Sequence, residues 1–152
     1  MDRGCRFCRV VSGEDAARIV HADDAVVAFL DVRPLIPGHT LVVPRRHVEV
    51  LGDLPDELVA PLMRVVRAAS RAMESAMGAE GSFVAVNNRV SQSVPHLHVH
   101  VVPRSPGDGL RGFFWPRHAY ADEREADAVA EMVRRGIAEE LARGGSEASP
   151  AP

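Results

Sequence analysis

The sequence predicts an α+β fold in which five antiparallel strands form one sheet that packs with two helices. Two features of the apolar pattern support this prediction. Five short segments carry the alternating or β-branched apolar residues typical of strands, whereas two longer segments repeat apolar residues every three or four positions, as helices do. The first three strands also follow one another without the crossover helices that parallel strands need, so the sheet is expected to be antiparallel.

The first three strands are predicted at residues 17–23, 24–31 and 39–44. The turn-prone pair Asp23-Asp24 separates the first two strands. The third strand is rich in β-branched residues and ends at a proline, which cannot continue a hydrogen-bonded ladder.

The first helix is predicted over residues 56–77. Asp53 is the expected N-cap, and Gly78 is expected to end the helix. The apolar residues that define its buried face are Leu58, Val59, Leu62, Val65, Val66, Ala69, Met73 and Met77.

The second half of the chain predicts two further strands, at 82–88 and 94–103, and an amphipathic helix over about 122–143. The last residues, 144–152, are small and polar and include prolines, so a disordered tail is expected there. One domain is therefore expected over residues 1–143.

Composition narrows the class of protein. The formal net charge is −3 at pH 7, so no basic face for nucleic acid is expected. No run of apolar residues is long enough to span a bilayer, and the N-terminus lacks the apolar region of a secretory signal. The expectation is a cytoplasmic protein without nucleic-acid or membrane partners.

The most informative stretch contains three histidines at alternate positions, His96, His98 and His100. Side chains of a strand alternate between its faces, so the three imidazoles should share one face, about 6–7 Å apart, while the apolar residues between them face the core. Imidazoles in this arrangement can bind a metal or perform nucleophilic and acid–base chemistry near neutral pH. A solvated strand face that happens to carry histidines is the simpler alternative, but the regular spacing disfavours it.

The segment HLHVHVV resembles the defining motif of the histidine-triad (HIT) family, His-φ-His-φ-His-φ-φ, where φ is apolar. Residues 18–47 resemble the N-terminal half of the family, and residues 92–104 resemble its C-terminal signature. The resemblance covers about residues 5–115. It implies a nucleotide hydrolase or nucleotidyltransferase of the zinc-binding bacterial branch, which pairs as a homodimer through a ten-stranded sheet.

The resemblance also implies catalytic roles. His98 matches the nucleophile, which attacks the α-phosphorus and forms a nucleotidyl-histidine intermediate, so that two easier steps replace one difficult step. His100 matches a phosphate contact, and Gln92 and Ser93 match the pair near the phosphate and the leaving group. His39 matches the histidine that supports the nucleophile from a neighbouring strand.

The nucleotide itself is expected to be a purine ribonucleotide of the adenosine type. Asp31 should accept hydrogen bonds from the ribose hydroxyls, because an ionised carboxylate can bind a vicinal diol. Phe7, Phe29 and Val32 should wall the base, although a place in the core explains them equally well. Asn87 matches a phosphate or leaving-group contact. The implied nucleotide-binding set is Phe7, Phe29, Asp31, Val32, Asn87, Gln92, Ser93, His98 and His100.

A metal site is predicted from Cys5, Cys8, His47 and His96. Two thiolates and two imidazoles suit tetrahedral Zn²⁺, and zinc-binding HIT proteins use a similar set. Redox chemistry is the alternative for a C-x-x-C pair, but its position outside a βαβ unit disfavours a thioredoxin-like fold. The expected role of the zinc is structural.

Two segments depart from the family pattern or lie beyond it. Residues 88–91 form a shorter loop than is usual and contain no glycine, which would allow close backbone approach to phosphate. Arg89 in this loop is either a substrate contact or a solvated side chain. The aromatic segment 112–116, in a glycine-containing loop, contributes either to a leaving-group pocket or to a subunit contact.

Two other functions compete with the HIT interpretation. A metal-dependent hydrolase would use the histidine cluster as ligands of a catalytic ion, but it would leave Asp31, Gln92 and Ser93 without a role. A non-catalytic nucleotide-binding module would be expected to lack the nucleophile, whereas His98 is present. Within the HIT interpretation the substrate stays open among phosphoramidates, dinucleoside polyphosphates, nucleotidyl sulfates and biosynthetic nucleotidyl transfers.

Overall fold

The computed structural model of the chain describes residues 4–110 and 119–147, with the backbone alone for 143–147. The chain divides into two compact units, Met1–Leu110 and Arg111–Pro152. The aromatic segment 112–116 lies outside the described residues. The first unit contains the sheet and all the predicted site residues.

Five strands form one sheet in the order β1-β2-β3-β5-β4, and every neighbouring pair is antiparallel. The predicted fold class is therefore confirmed. The strands are β1 Ile19–Ala22, β2 Val26–Leu30, β3 Thr40–Pro44, β4 Gly81–Val86 and β5 Val99–Arg104.

One face of the sheet is covered by the helix α2, Asp56–Ser75, which corresponds to the first predicted helix. Asp53 was expected to cap it, and that expectation is wrong. Asp53 lies in a short 3₁₀ turn, and Pro55 occupies the N-cap. Gly78 confirms the predicted stop, because its φ of 68° takes the chain out of the helix just past its end. The helix and the sheet bury Val26, Val42, Leu62, Val65, Val66, Met73, Leu97, Val99 and Val101 between them.

The opposite face of the sheet is covered by a helix that the sequence pattern did not predict, α1, Arg6–Ser12. Seven residues are too few for a periodic signal to stand out. The helix places Phe7 and Cys8 against the sheet. This face carries the histidine side chains, so α1 closes over the candidate site.

The histidine strand begins later than predicted. Its ladder starts at Val99, whereas His96 and His98 lie in an extended segment just before it. This segment leaves the sheet to pair elsewhere, because the Leu97 N–H donates to the Val48 carbonyl at 2.6 Å. The predicted alternation still holds, since Phe7 contacts both His96 and His98, at ring-centroid distances of 6.1 and 5.2 Å.

In the second unit, the helix α3 spans Glu123–Glu147. It matches the second predicted helix but runs past residue 143, so residues 144–147 are helical rather than part of a disordered tail. Residues 148–152 lie outside the described part of the chain. None of the described helices combines the length and apolar character needed to cross a membrane.

Candidate active site and metal centre

A cleft of about 580 Å³ opens on the α1 face of the sheet. It brings together residues from distant parts of the sequence, namely α1 and the residues just after it, the end of β2, Leu41 of β3 and the histidine segment, residues 93–100. The predicted site residues that line it are Phe7, Phe29, Asp31, Val32, Ser93, His98 and His100. A second cavity, of about 490 Å³, lies between α2 and the sheet and is mainly apolar, although His21, Asp23, Thr40 and Arg64 also line it.

The His98 imidazole is fixed in one tautomer by the backbone. Its Nδ1 lies 2.7 Å from the His96 carbonyl oxygen, and a carbonyl can only accept, so Nδ1 carries the proton and donates. In the neutral ring, Nε2 is therefore the nitrogen with the free lone pair. The ring is 3% exposed and lies edge-on to Phe7, which restricts its rotation.

His39 and His100 form a hydrogen-bonded pair beside His98. The Leu35 N–H donates to His39 Nδ1 at 3.3 Å, so the proton of His39 is on Nε2, and this Nε2–H donates to His100 Nδ1 at 2.9 Å. His100 Nε2 must then carry a proton. His100 is opposite Leu41 in the register of β3 and β5, which places it on the cleft face.

Burial keeps both members of this pair neutral. The pKa of His100 is lowered to about 4, mainly by desolvation and also by the nearby His98 and His39, whereas the Asp31 carboxylate acts in the opposite direction. Desolvation is also the main cause of the lowered pKa of His39. Near neutral pH, His100 can therefore offer a neutral N–H donor to the cleft.

Asp31 follows β2 directly and is held by hydrogen bonds of its backbone N–H and of its carboxylate. The Asp31 N–H donates to the His39 carbonyl at 2.9 Å, and Oδ1 accepts from the Arg33 N–H at 2.8 Å. Oδ2 lies 3.6 Å from His39 Nδ1. The carboxylate thus lines the cleft with acceptor capacity left for a ligand.

The aromatic wall of the cleft is both core and lining. Phe7 and Phe29 are 7% and 5% exposed and meet edge to face, with ring centroids 5.4 Å apart. Val32 is 60% exposed at the mouth. The two predicted roles of Phe7 and Phe29, a wall for the base and a place in the core, are therefore both compatible with their positions.

Two of the predicted nucleotide-binding residues lie outside the lining of the cleft. Asn87 and Gln92 do not belong to the cleft lining that residues 4–110 define, although the adjacent Ser93 does. The Gln92 amide instead binds backbone groups: Oε1 accepts from the Arg89 N–H at 2.7 Å, and Nε2 donates to the Glu49 carbonyl at 2.6 Å.

Cys5, Cys8, His47 and His96 come together as predicted, and their four ligand atoms all lie within 4.8 Å of one another. Cys5 Sγ and Cys8 Sγ are 3.5 and 3.6 Å from His96 Nδ1, and Cys8 Sγ is 3.3 Å from His47 Nδ1. Ligand atoms about 2.0–2.3 Å from a tetrahedral Zn²⁺ are roughly 3.3–3.8 Å apart, so these three separations fit the ion.

The orientation of His96 also fits a ligand role. Its Nε2 donates to the Pro44 carbonyl at 2.9 Å, which leaves the Nδ1 lone pair facing the two thiols. Burial lowers the pKa of His96 to about 4, so the ring is neutral, as a ligand must be. Among the described residues this is the one cluster of histidine, cysteine and acidic side chains that could hold an ion.

Sequence reasoning missed two cations at the cleft, Arg6 and Arg33. Arg6 lies on the helix that the pattern did not predict, and Arg33 follows the predicted ribose carboxylate by two residues. Their proximity in sequence to Phe7 and Asp31 was the available signal. The cleft also includes Val10, Asp15, Ala16, Ala17, Leu30, Leu41 and Val94.

Comparison with known proteins identifies the class. The family model described as "HIT domain" matches residues 12–107, and the chain belongs to the HIT family. A HIT-like protein of Methanocaldococcus jannaschii is 39% identical over 107 residues, which cover 69% of this chain and 82% of that protein. An adenylylsulfatase of Arabidopsis thaliana is 31% identical, covering 90% of this chain and 71% of that protein. An adenosine 5′-monophosphoramidase of Schizosaccharomyces pombe is 33% identical, covering 88% and 98%.

Solved structures agree with this assignment. A protein from Streptococcus mutans superimposes with a TM-score of 0.81 at 31% identity, covering 90% of this chain and 87% of its own. A zinc-bound histidine-triad protein from Mycobacterium smegmatis has a TM-score of 0.66 at 37% identity, covering 86% and 96%. The metal in that relative and the Cys/His cluster in this chain both support metal binding.

Proposed function

We propose that the protein is a nucleotide hydrolase or nucleotidyltransferase that acts at the α-phosphorus through a nucleotidyl-histidine intermediate on His98. The observation that carries the proposal is the orientation of this imidazole. Its Nδ1–H is bound to the His96 carbonyl, so the lone pair on Nε2 is the available nucleophile in the cleft.

The reaction has two steps. In the first, His98 Nε2 forms a bond to the α-phosphorus, and the bond from phosphorus to the leaving group breaks, with the electron pair leaving on that group. In the second, water or another acceptor attacks the same phosphorus and releases His98. The positive charge that the imidazole gains in the first step is stabilised by the Nδ1–H bond to the His96 carbonyl.

Three neighbours assist this chemistry in the proposal. His100 donates its Nε2–H to a phosphate oxygen, and His39 fixes that tautomer through its own Nε2–H. Ser93 offers a hydroxyl to the phosphate or the leaving group from the lining of the cleft. Such positioned donors act most strongly on the charge that develops in the transition state.

We propose an adenosine-type ribonucleotide as the ligand. Phe7, Phe29 and Val32 form an apolar wall suited to a base, and Asp31 supplies acceptors for the ribose hydroxyls. Two relatives carry activities on adenylyl compounds in their names, an adenylylsulfatase and an adenosine monophosphoramidase. The leaving group of the physiological substrate is left open by these observations.

The metal is proposed to be Zn²⁺ with a structural role. Bound to the two thiolates and two imidazoles, it would supply a rigid link between α1 and the histidine segment. His96 presents its ring to this site and its carbonyl to His98, so the ligand set orients the nucleophile without touching the substrate.

A metal-dependent hydrolase is the competing function. The geometry disfavours it, because the cluster that could hold an ion contains neither His98 nor His100. Wild-type protein should be tested against adenosine phosphoramidate, adenylyl sulfate and diadenosine polyphosphates, before and after addition of a chelator. We expect turnover of at least one compound, with the initial rate unchanged by a chelator over times at which the fold is intact. Immediate loss of the chemical step on chelation would favour the metal hydrolase.

A further inference from the structure

We propose that Gln92 is a positioning residue, which holds the loop 88–91 against the segment 49–51 through both ends of its side-chain amide. The role rests on the proposed function, because it assumes phosphate chemistry at His98 and Ser93. It differs from the direct leaving-group contact that the family resemblance implies, since both ends of the amide are occupied by backbone groups.

The loop needs such support because two of its residues are strained. Arg89 has a φ of 64° and Ser91 a φ of 59°, in the left-handed region that residues with a Cβ disfavour. The Val90 N–H donates to the Asn88 carbonyl at 2.7 Å across Arg89, which is the bonding of a γ-turn with positive φ, a rare and strained arrangement. Val90 is 80% exposed, so burial of its side chain does not offset the strain.

Three side-chain to backbone hydrogen bonds offset the strain instead. Gln92 Oε1 accepts the N–H of the strained residue Arg89 itself, at 2.7 Å, and Gln92 Nε2 donates to the Glu49 carbonyl at 2.6 Å. Asn88 Oδ1 accepts from the Leu51 N–H at 2.7 Å. The loop is thereby bonded to itself and to the segment 49–51.

This anchorage extends to the active site. The segment that follows His47 also accepts the Leu97 N–H at the Val48 carbonyl, at 2.6 Å. Val48 and Glu49 therefore bind Leu97 and Gln92, which lie on either side of Ser93 in the sequence. Loss of the hydrogen bonds of the Gln92 side chain would free the chain on one side of Ser93. Ser93 would then lose its fixed position beside His98.

The test begins with Gln92→Ala, assayed with adenosine phosphoramidate. We expect kcat/KM to fall roughly 10- to 100-fold, the scale of a misplaced catalytic group. Arg89→Gly in the same background should restore part of the loss, because glycine adopts positive φ without strain while the bond to the Glu49 carbonyl stays broken. Gln92→Glu, which keeps the acceptor for Arg89 but loses the donor to Glu49, should fall between wild type and alanine. Val90→Ala in the same loop is the matched control and should match wild type.

Two further measurements separate positioning from direct contact. The loss in Gln92→Ala should largely disappear in a Ser93→Ala background, because a residue that acts through Ser93 has nothing left to position there, and hydrogen exchange at the Arg89 and Leu51 amides should accelerate. A loss of the same size in the Ser93→Ala background, or no rescue by Arg89→Gly, would overturn the proposal. Unchanged hydrogen exchange at these two amides would also overturn it. This measurement stays informative even if the wild-type protein hydrolyses none of the adenylyl compounds and the proposed function fails.

Discussion

His96 and His98 are joined by a 2.7 Å hydrogen bond from the His98 Nδ1–H to the His96 carbonyl. His96 thus has two roles. Its ring belongs to the Cys/His cluster, 3.5 Å from Cys5 Sγ, while its backbone selects the tautomer of the proposed nucleophile. The predicted metal centre and the predicted catalytic centre are therefore mechanically connected through one residue.

Loss of a metal ligand should lower the stability of the fold more than it lowers the activity of the molecules that remain folded. Wild-type protein purified without chelator should contain one Zn²⁺ per chain. Cys8→Ser should lower metal content and destabilise the fold by about 2 kcal/mol or more, a fall in Tm of roughly 4–8 °C. Elemental analysis and thermal melts measure both, with the exposed Glu14→Gln as the control beside α1. Absence of zinc from the wild type would refute this assignment.

Asp31 should determine the preference for ribonucleotides. Asp31→Asn keeps an oxygen for the Arg33 N–H but removes the charge, and a hydrogen bond to a charged group is worth roughly 1.5–3 kcal/mol. We expect KM for a ribonucleotide substrate to rise roughly 10- to 100-fold, with little change for the 2′-deoxy analogue. Equal reaction of the wild type with ribo and deoxy substrates would show that the carboxylate does not bind the ribose.

The neutral His100 should make stability fall in acid. Its pKa is about 4 in the folded chain and near 6.5 when unfolded, so below pH 6.5 the unfolded state binds a proton that the folded state does not. The stabilisation is present above pH 6.5 and is lost progressively toward pH 4. His100→Asn should reduce this slope by up to about 1 kcal/mol per pH unit, as measured by urea unfolding between pH 7 and 4.5. Identical slopes would mean that His100 takes up its proton equally in both states.

The sheet edge predicts a homodimer. β4 is an edge strand of the described sheet, and Val84 in its middle is 42% exposed. Light scattering should give twice the 16.4 kDa of one chain, and Val84→Lys should shift the equilibrium toward monomer, whereas Val84→Thr should not. A mass near 16.4 kDa that does not change with concentration would contradict the dimer.

Most of the fold could be predicted from the sequence because local apolar patterns indicate its strands and its main helix. Five strands and the helix α2 appear as periodic apolar patterns, and the resemblance through residues 18–47 and 92–104 brings distant segments into one site. The helix α1 escaped prediction because seven residues give too short a pattern, although Phe7 and Cys8 within it were expected to act at the site.

The errors have specific physical causes. The late start of β5 depends on a tertiary bond, from the Leu97 N–H to the Val48 carbonyl, which no local pattern encodes. The positive φ values of Arg89 and Ser91 could not be predicted from the sequence, because neither residue is a glycine. The role of Gln92 depends on the Glu49 carbonyl, 43 residues away in sequence, and only the folded chain brings the two together.

The nucleotidyl-histidine intermediate on His98 is the central claim, and trapping it is the most direct test. Wild-type protein quenched in neutral denaturant during turnover of adenosine phosphoramidate should carry one nucleoside monophosphate on the peptide containing His98. The bond should be acid-labile and base-stable, as a phosphoramidate is. His98→Ala should fold but lose nearly all turnover and all labelling, whereas His100→Asn and Ser93→Ala should lose roughly 10²–10³-fold because each only assists. A His98→Ala variant with full activity would contradict the mechanism.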